Sequence, residues 1–265
     1  MITSKFEQIQ TKSPIWLAGI NLSKTFLGHA NFEGGIISNA NLTETILLSA
    51  NLNRSDLSYT NLTDSDLTES SFISAVLEFA QLNQSHAIEA NFSKANLRKA
   101  YLTEVDFTNC NFLNANLVEA KLHNAKLIGC NLSGAILVNA DFSGADLTEA
   151  NLTGAVLIGA NFDGAILDRA ILVDSKINEG QFLQMASAKG VVLLKPGEDK
   201  IITEWGERVV VQVFIEEDLL SKLEDDAKKL EMSLNEYVNW ILMNHIIDNK
   251  KSKLQDKLTR ATEEK

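Results

Sequence analysis

Histidine, cysteine and paired carboxylates carry most acid–base, nucleophilic and metal chemistry, and this 265-residue chain arranges none of them for it. His29, His86, His123 and His245 have no spacing that suits a shared metal ion. No glycine-rich phosphate loop, nucleophile elbow or zinc-protease helix motif is present. Cys110 and Cys130 stand twenty residues apart, in places that neighbouring segments fill with alanine. They read as two small buried thiols in place of Ala, with a disulfide between them left open. The expectation is a non-enzymatic protein with no catalytic residue, cofactor or metal.

The element that positions all of these side chains is a repeat. From Leu17 to Phe182 every fifth residue is Leu, Phe or Ile, and only Ala87 breaks the rule. Two residues before each stands a small residue, as at Ala30, Gly35, Ala40 and Thr45, with Val105 the larger exception. Asn or Asp commonly lies between, as in Ala90-Asn91-Phe92 and Ala140-Asp141-Phe142. Five residues turn an α-helix by roughly 500°, which scatters the large residues around its circumference. In a flat strand a step of five reverses sides each time. The pattern requires a short extended piece that buries the small and the large residue together, then a corner, over and over. Such a chain coils around its own apolar axis and bonds its backbone to the coils above and below.

These residues resemble the pentapeptide-repeat family, whose consensus is close to Ala-Asp/Asn-Leu-X-X. The resemblance implies an all-β, right-handed, quadrilateral parallel β-helix with four repeats and about twenty residues per coil. About eight and a half coils spaced roughly 4.8 Å apart would make a shaft about 40 Å long. Residues twenty apart should then stack. Phe72, Phe92 and Phe112 form one expected ladder above Phe32 and Leu52, and Phe142, Phe162 and Phe182 form another. A gap or an inward shift of His86 and Ile88 is expected at Ala87.

The bulk properties agree with a folded, interaction-type protein. Hydrophobic residues make up 45% and charged residues 22%. Met1-Ile2-Thr3-Ser4-Lys5 has no basic-then-apolar signal pattern and no run approaches a membrane span, so the chain reads as cytoplasmic and without a membrane. Residues 15–185 carry 18 acidic against 9 basic side chains, which disfavours nucleic-acid binding by the shaft. The twenty-residue stacking rule places Val118, Val138 and Ile158 in one column and Ile136 and Val156 in a neighbouring one. Together they form an exposed apolar strip, a candidate surface for an unidentified protein partner. The column Ser23, Thr43, Thr63 and Thr103 on the next face is polar.

Outside the repeat, residues 1–14 read as an amino-terminal cap, and Pro14 and Pro196 bracket the shaft at 15–186. A connector at 187–207 precedes a small α/β segment at 208–249, with a charged tail at 250–265. Val209 to Ile215 reads as a strand. Leu219, Leu220, Leu223, Ala227 and Leu230 give helical spacing, and Ser233 with Glu236 opens a second helix. Strand, helix and helix resemble the ribbon-helix-helix family, best at Leu220 to Leu223, Ala227 and Met232 to Asn235. That resemblance implies a homodimer through an antiparallel ribbon whose outer face is Val210, Gln212 and Phe214. Only Gln212 suits base reading. The reading is a dimeric, acidic interaction rod. The alternatives are a DNA-binding regulator acting through this ribbon, and a DNA mimic acting on type II topoisomerase.

Overall fold

In the computed structural model, residues 15–176 are described throughout, together with 193–194, 211–212, 225–226 and 228–230. Every fifth residue from Trp16 to Val156 forms a parallel bridge with the residue twenty positions on. Twenty residues therefore make one coil and five make one side, so the shaft has four sides.

The repeat closes because all five backbone N–H groups of a side can find acceptors. Residues 42 to 46 show how. Leu42 and Glu44 donate to Asn61 and Thr63 in the next coil, at 2.7 and 2.9 Å, and Ile46 donates back to Thr25 at 3.0 Å. Thr45 closes the corner by donating to Leu42 at 3.2 Å. The fifth N–H, on Thr43, has no backbone acceptor in this scheme and donates to the Asn41 side-chain oxygen at 3.1 Å. This explains why Asn or Asp recurs between the two inward residues: it supplies a local side-chain acceptor that apolar residues cannot. The carboxylates Asp56, Asp66, Asp106 and Asp146 serve in the same way.

Each corner is a turn whose third residue has positive φ, as in type II, and all but those ending at Thr25 and Val105 are closed by a backbone hydrogen bond. All 32 such residues from Gly19 to Asp174 lie between 52° and 71°, and 24 of them are not glycine. None is Val, Ile or Thr, whose branched Cβ fits this region worst. In the second half, an Asn at a corner leans over a glycine one coil later. A Cβ at Gly134 would collide with the Asn114 side-chain oxygen, and one at Gly144 with that of Asn124.

Inside, the small and the large residues of each side are buried from Phe32 to Leu172. Phe72, Phe92 and Phe112 stack with centroids 4.6 and 5.1 Å apart, and Phe142 stacks on Phe162 at 5.2 Å. Phe182 lies outside the described residues. Cys110 and Cys130 are buried and unbridged, and their thiols donate to the carbonyls of Ala87 and Phe107 at 2.7 and 2.9 Å. Burial, and then the neighbouring Cys130, push the Cys110 thiol well above its usual range, so it stays a protonated donor.

The expected rearrangement at Ala87 does not occur. His86 stays exposed and bridges Asp66 and Asp106, and Ile88 is half-buried at the corner. A large side chain stands in the same column one coil on. Phe107, stacked above Ala87, sets its ring edge-on to Phe92 at 5.7 Å and to Phe112 at 5.0 Å.

Towards the carboxyl end, β1 (Leu193–Leu194) pairs in parallel with β2 (Val211–Gln212). The ribbon expectation called for an antiparallel partner from a second chain. Instead, Val211 and Gln212 pair with the connector of their own chain, which occupies one edge of that strand. Asp225, Asp226, Lys228 and Lys229 are helical, as the apolar spacing predicts, with an Asp226–Lys229 ion pair at 2.7 Å. Residues 1–14, both prolines, Val210, Phe214, the second helix and the tail lie outside the described residues.

Candidate functional site

Four sides of a square rod carry four different sets of outward residues, since each column repeats only every twenty positions. Among the described residues, no group of three His, Cys, Asp and Glu is placed to hold a metal ion. His29, His86 and His123 stand in separate columns, and His123 Nδ1 lies 2.9 Å from Ser143 Oγ. On the Ser23 face, Thr43 Oγ1 is bound to Asn41. One side bears Asp66, His86, Asp106, Lys126 and Asp146 in bridged succession. Burial pushes the Asp106 carboxyl up, but donors from Thr108 and Lys126 outweigh it and hold it below the usual range. Asp141, on the next side, is lowered likewise by Ser143, Asn161 and the nearby Lys121 against the same burial effect.

The side from the bridging residue Trp16 to the corner residue Gly19, with its repeats twenty residues apart, differs from the other three. Its bridging column reads Trp16, Ile36, Asp56, Val76, Asn96, Asn116, Ile136, Val156 and Lys176. Val118, Val138 and Ile158 stack beside it through bonds from Lys99, Glu119 and Asn139 N–H to their carbonyls. The five strip residues are thus brought onto one face. Ile136 and Ile158 are 42% and 53% exposed, and Val118, Val138 and Val156 are half-buried by one another's coils.

The strip departs from the hydrogen-bonding rule of the shaft. Where the bridging residue is Ser71 or Tyr101, the corner-side N–H turns to an Asn one coil below, Asn53 for Ile73 at 2.8 Å and Asn83 for Thr103 at 3.0 Å. Neither device is open to Val138 and Ile158. Ile136 and Val156 have no acceptor, and Val118 and Val138, one coil below, have none either. Apolar side chains stand here at the expense of a bond that most sides make.

The same face carries aromatic residues that sequence reasoning passed over. Tyr59 and Phe79 occupy successive positive-φ corners and stack at 4.9 Å with planes 4° apart. Tyr59 is 54% exposed, and Val76 beside Phe79 is 37% exposed. Lys99 Nζ lies 5.7 Å from the Phe79 ring centre and 3.3 Å from Glu119, which Arg98 also approaches at 3.7 Å. The twenty-residue spacing of Tyr59 and Phe79 was the available signal.

The sequence profile of the Pentapeptide repeats family matches residues 17–47, 50–86, 75–114, 88–124, 115–154 and 135–174 in eight copies. Among solved structures, HetL, a pentapeptide repeat protein involved in heterocyst differentiation regulation from the cyanobacterium Nostoc sp. strain PCC 7120, is 29% identical. The match covers 62% of this chain and 83% of that one, with a TM-score of 0.33. A pentapeptide repeat protein of the Arabidopsis thaliana thylakoid lumen is 30% identical over 37% of this chain and 74% of its own, with a TM-score of 0.29. QnrB1, a plasmid-mediated fluoroquinolone resistance protein, is 17% identical over 83% of this chain and 97% of its own, with a TM-score of 0.31. Among curated proteins the chain has no match.

Proposed function

The chain belongs to the pentapeptide-repeat family of right-handed β-helices, and from that premise we propose that it is a non-enzymatic interaction scaffold. The rod presents the apolar face of Val118, Ile136, Val138, Val156 and Ile158 to a protein partner. The observation that carries this reading is the loss of the side-chain acceptor at two successive coils in favour of apolar groups. Stability of the shaft alone favours Asn there, as at Asn116 and Asn96, one and two coils below Ile136. Homodimerisation belongs to the same reading, with residues 208–249 as the segment that the sequence offers for it.

The test is a double substitution, Ile136→Asn with Val156→Asn, which restores the repeat consensus and removes the apolar bridging pair. Affinity capture on the wild-type rod should retain a partner that the double variant releases, with the two proteins equal in circular dichroism. An identical set of bound proteins on both rods would overturn the reading.

A further inference from the structure

On this face two apolar patches flank a charged middle. Tyr59, Val76 and Phe79 lie towards the amino end and Ile136, Val138, Val156 and Ile158 towards the carboxyl end. Arg98, Lys99 and Glu119 lie between them. We infer that the partner this face takes is a second copy of the same chain, packed face to face and antiparallel. The inference rests on the interaction function proposed above.

A twofold axis in the plane of contact, crossing the rod between the coils of Arg98 and Val118, keeps each column opposite its own counterpart and reverses the order of coils. Val76 then meets Ile136 of the second copy, Asn96 meets Asn116, and Lys99 meets Glu119. Tyr59 falls over Gly159, across which the Asn139 side-chain oxygen leans. Three positions set a charge against an apolar group, Asp56 against Val156, Glu78 against Val138 and Arg98 against Val118. Each of these carboxylates already has a donor in its own chain. Ser58 N–H reaches Asp56 at 3.0 Å and the Asn96 amide reaches Glu78 at 2.8 Å. A parallel pair would instead oppose Arg98 to Arg98 and Glu78 to Glu78, and like charges facing one another disfavour that arrangement.

One side of a rod is narrow against the roughly 800 Å² per partner of a standard interface, so the pair forms reversibly and is best trapped covalently. Full-length chain carrying Val76→Cys is mixed with full-length chain carrying Ile136→Cys under mild oxidation. Within one chain these positions are three coils, about 14 Å, apart, which no disulfide spans. Cys110 and Cys130 are buried and do not compete. The expected product is a dimer linked between 76 and 136, identified by its joined peptides. Its yield falls several-fold when Lys99→Glu is added to the first chain, and recovers when Glu119→Lys is added to the second. Links dominated by 76 to 76 or 136 to 136, or a yield no higher than with Thr68→Cys on the opposite face, would overturn the pairing. Absence of the link while the Asn double variant still loses a bound protein rejects the second copy and leaves the scaffold reading standing.

Discussion

Asn41 and Ile136 hold equivalent places in different coils, and the difference between them is one hydrogen bond. Asn41 accepts the N–H of Thr43 at 3.1 Å, whereas Ile136 offers nothing to Val138. Ile136→Asn should therefore raise stability by about 0.5–1.5 kcal/mol, read as a higher denaturation midpoint. Corner residues obey a different constraint. Glu104 sits at φ 60°, so Glu104→Val should cost about 1–2 kcal/mol, and Glu104→Gly should be neutral or stabilising in the same assay. Asp106 and Asp141 are held below the usual carboxylate range. Their folded forms release protons more readily than the unfolded chain, so the stability they add is complete above the unfolded value of about 3.9 and is lost as pH falls through the folded values. Melting temperature should stay flat from neutral to mildly acid solution and drop below about pH 4. Asp106→Asn should make that drop shallower.

At the level of the five-residue side, packing is shared between coils. Phe107 stands one coil above Ala87 and packs edge-on to Phe92, so Ala87→Leu should crowd this layer and cost about 1–3 kcal/mol. Adding Phe107→Leu should recover most of that loss, a coupling measurable by a double-mutant cycle. The buried columns, the stacking of Phe72, Phe92 and Phe112 and the seating of both cysteines were legible in the sequence, because a hydrophobic period fixes which residues share the interior. The edge-on packing of Phe107 against Phe92 and Phe112 was not, since linear patterns report only neighbours. The role of Asn and Asp became plain only when each N–H was followed to its acceptor. The absence of Val, Ile and Thr from 32 corners was visible in the letters, but meaningless without the positive φ that excludes them.

For the whole molecule, the strip residues lined up as the twenty-residue rule requires, yet their exposure did not follow from it. Val118, Val138 and Val156 are half-buried because stacked coils about 4.8 Å apart cover one another's flanks. Tyr59 and Phe79 extend the same face, and the charged centre between the two patches gives it a direction. Each coil touches only the coils above and below, so stability accumulates locally along the rod.

A four-sided coil turns changes of length into changes of direction. Removing twenty residues, a full circuit, shortens the rod by about 4.8 Å and leaves every later column beneath its old one. Removing five leaves an unbroken pattern of Leu and Ala, and the chain downstream still folds, but rotated by a quarter turn. Deleting 102–106 would carry Ile136 and Ile158 onto a side adjacent to Tyr59 and Phe79, dividing one surface into two that no longer look the same way. In such a protein, insertions and deletions act as angular mutations, able to redirect what the rod faces without altering a single residue that faces it.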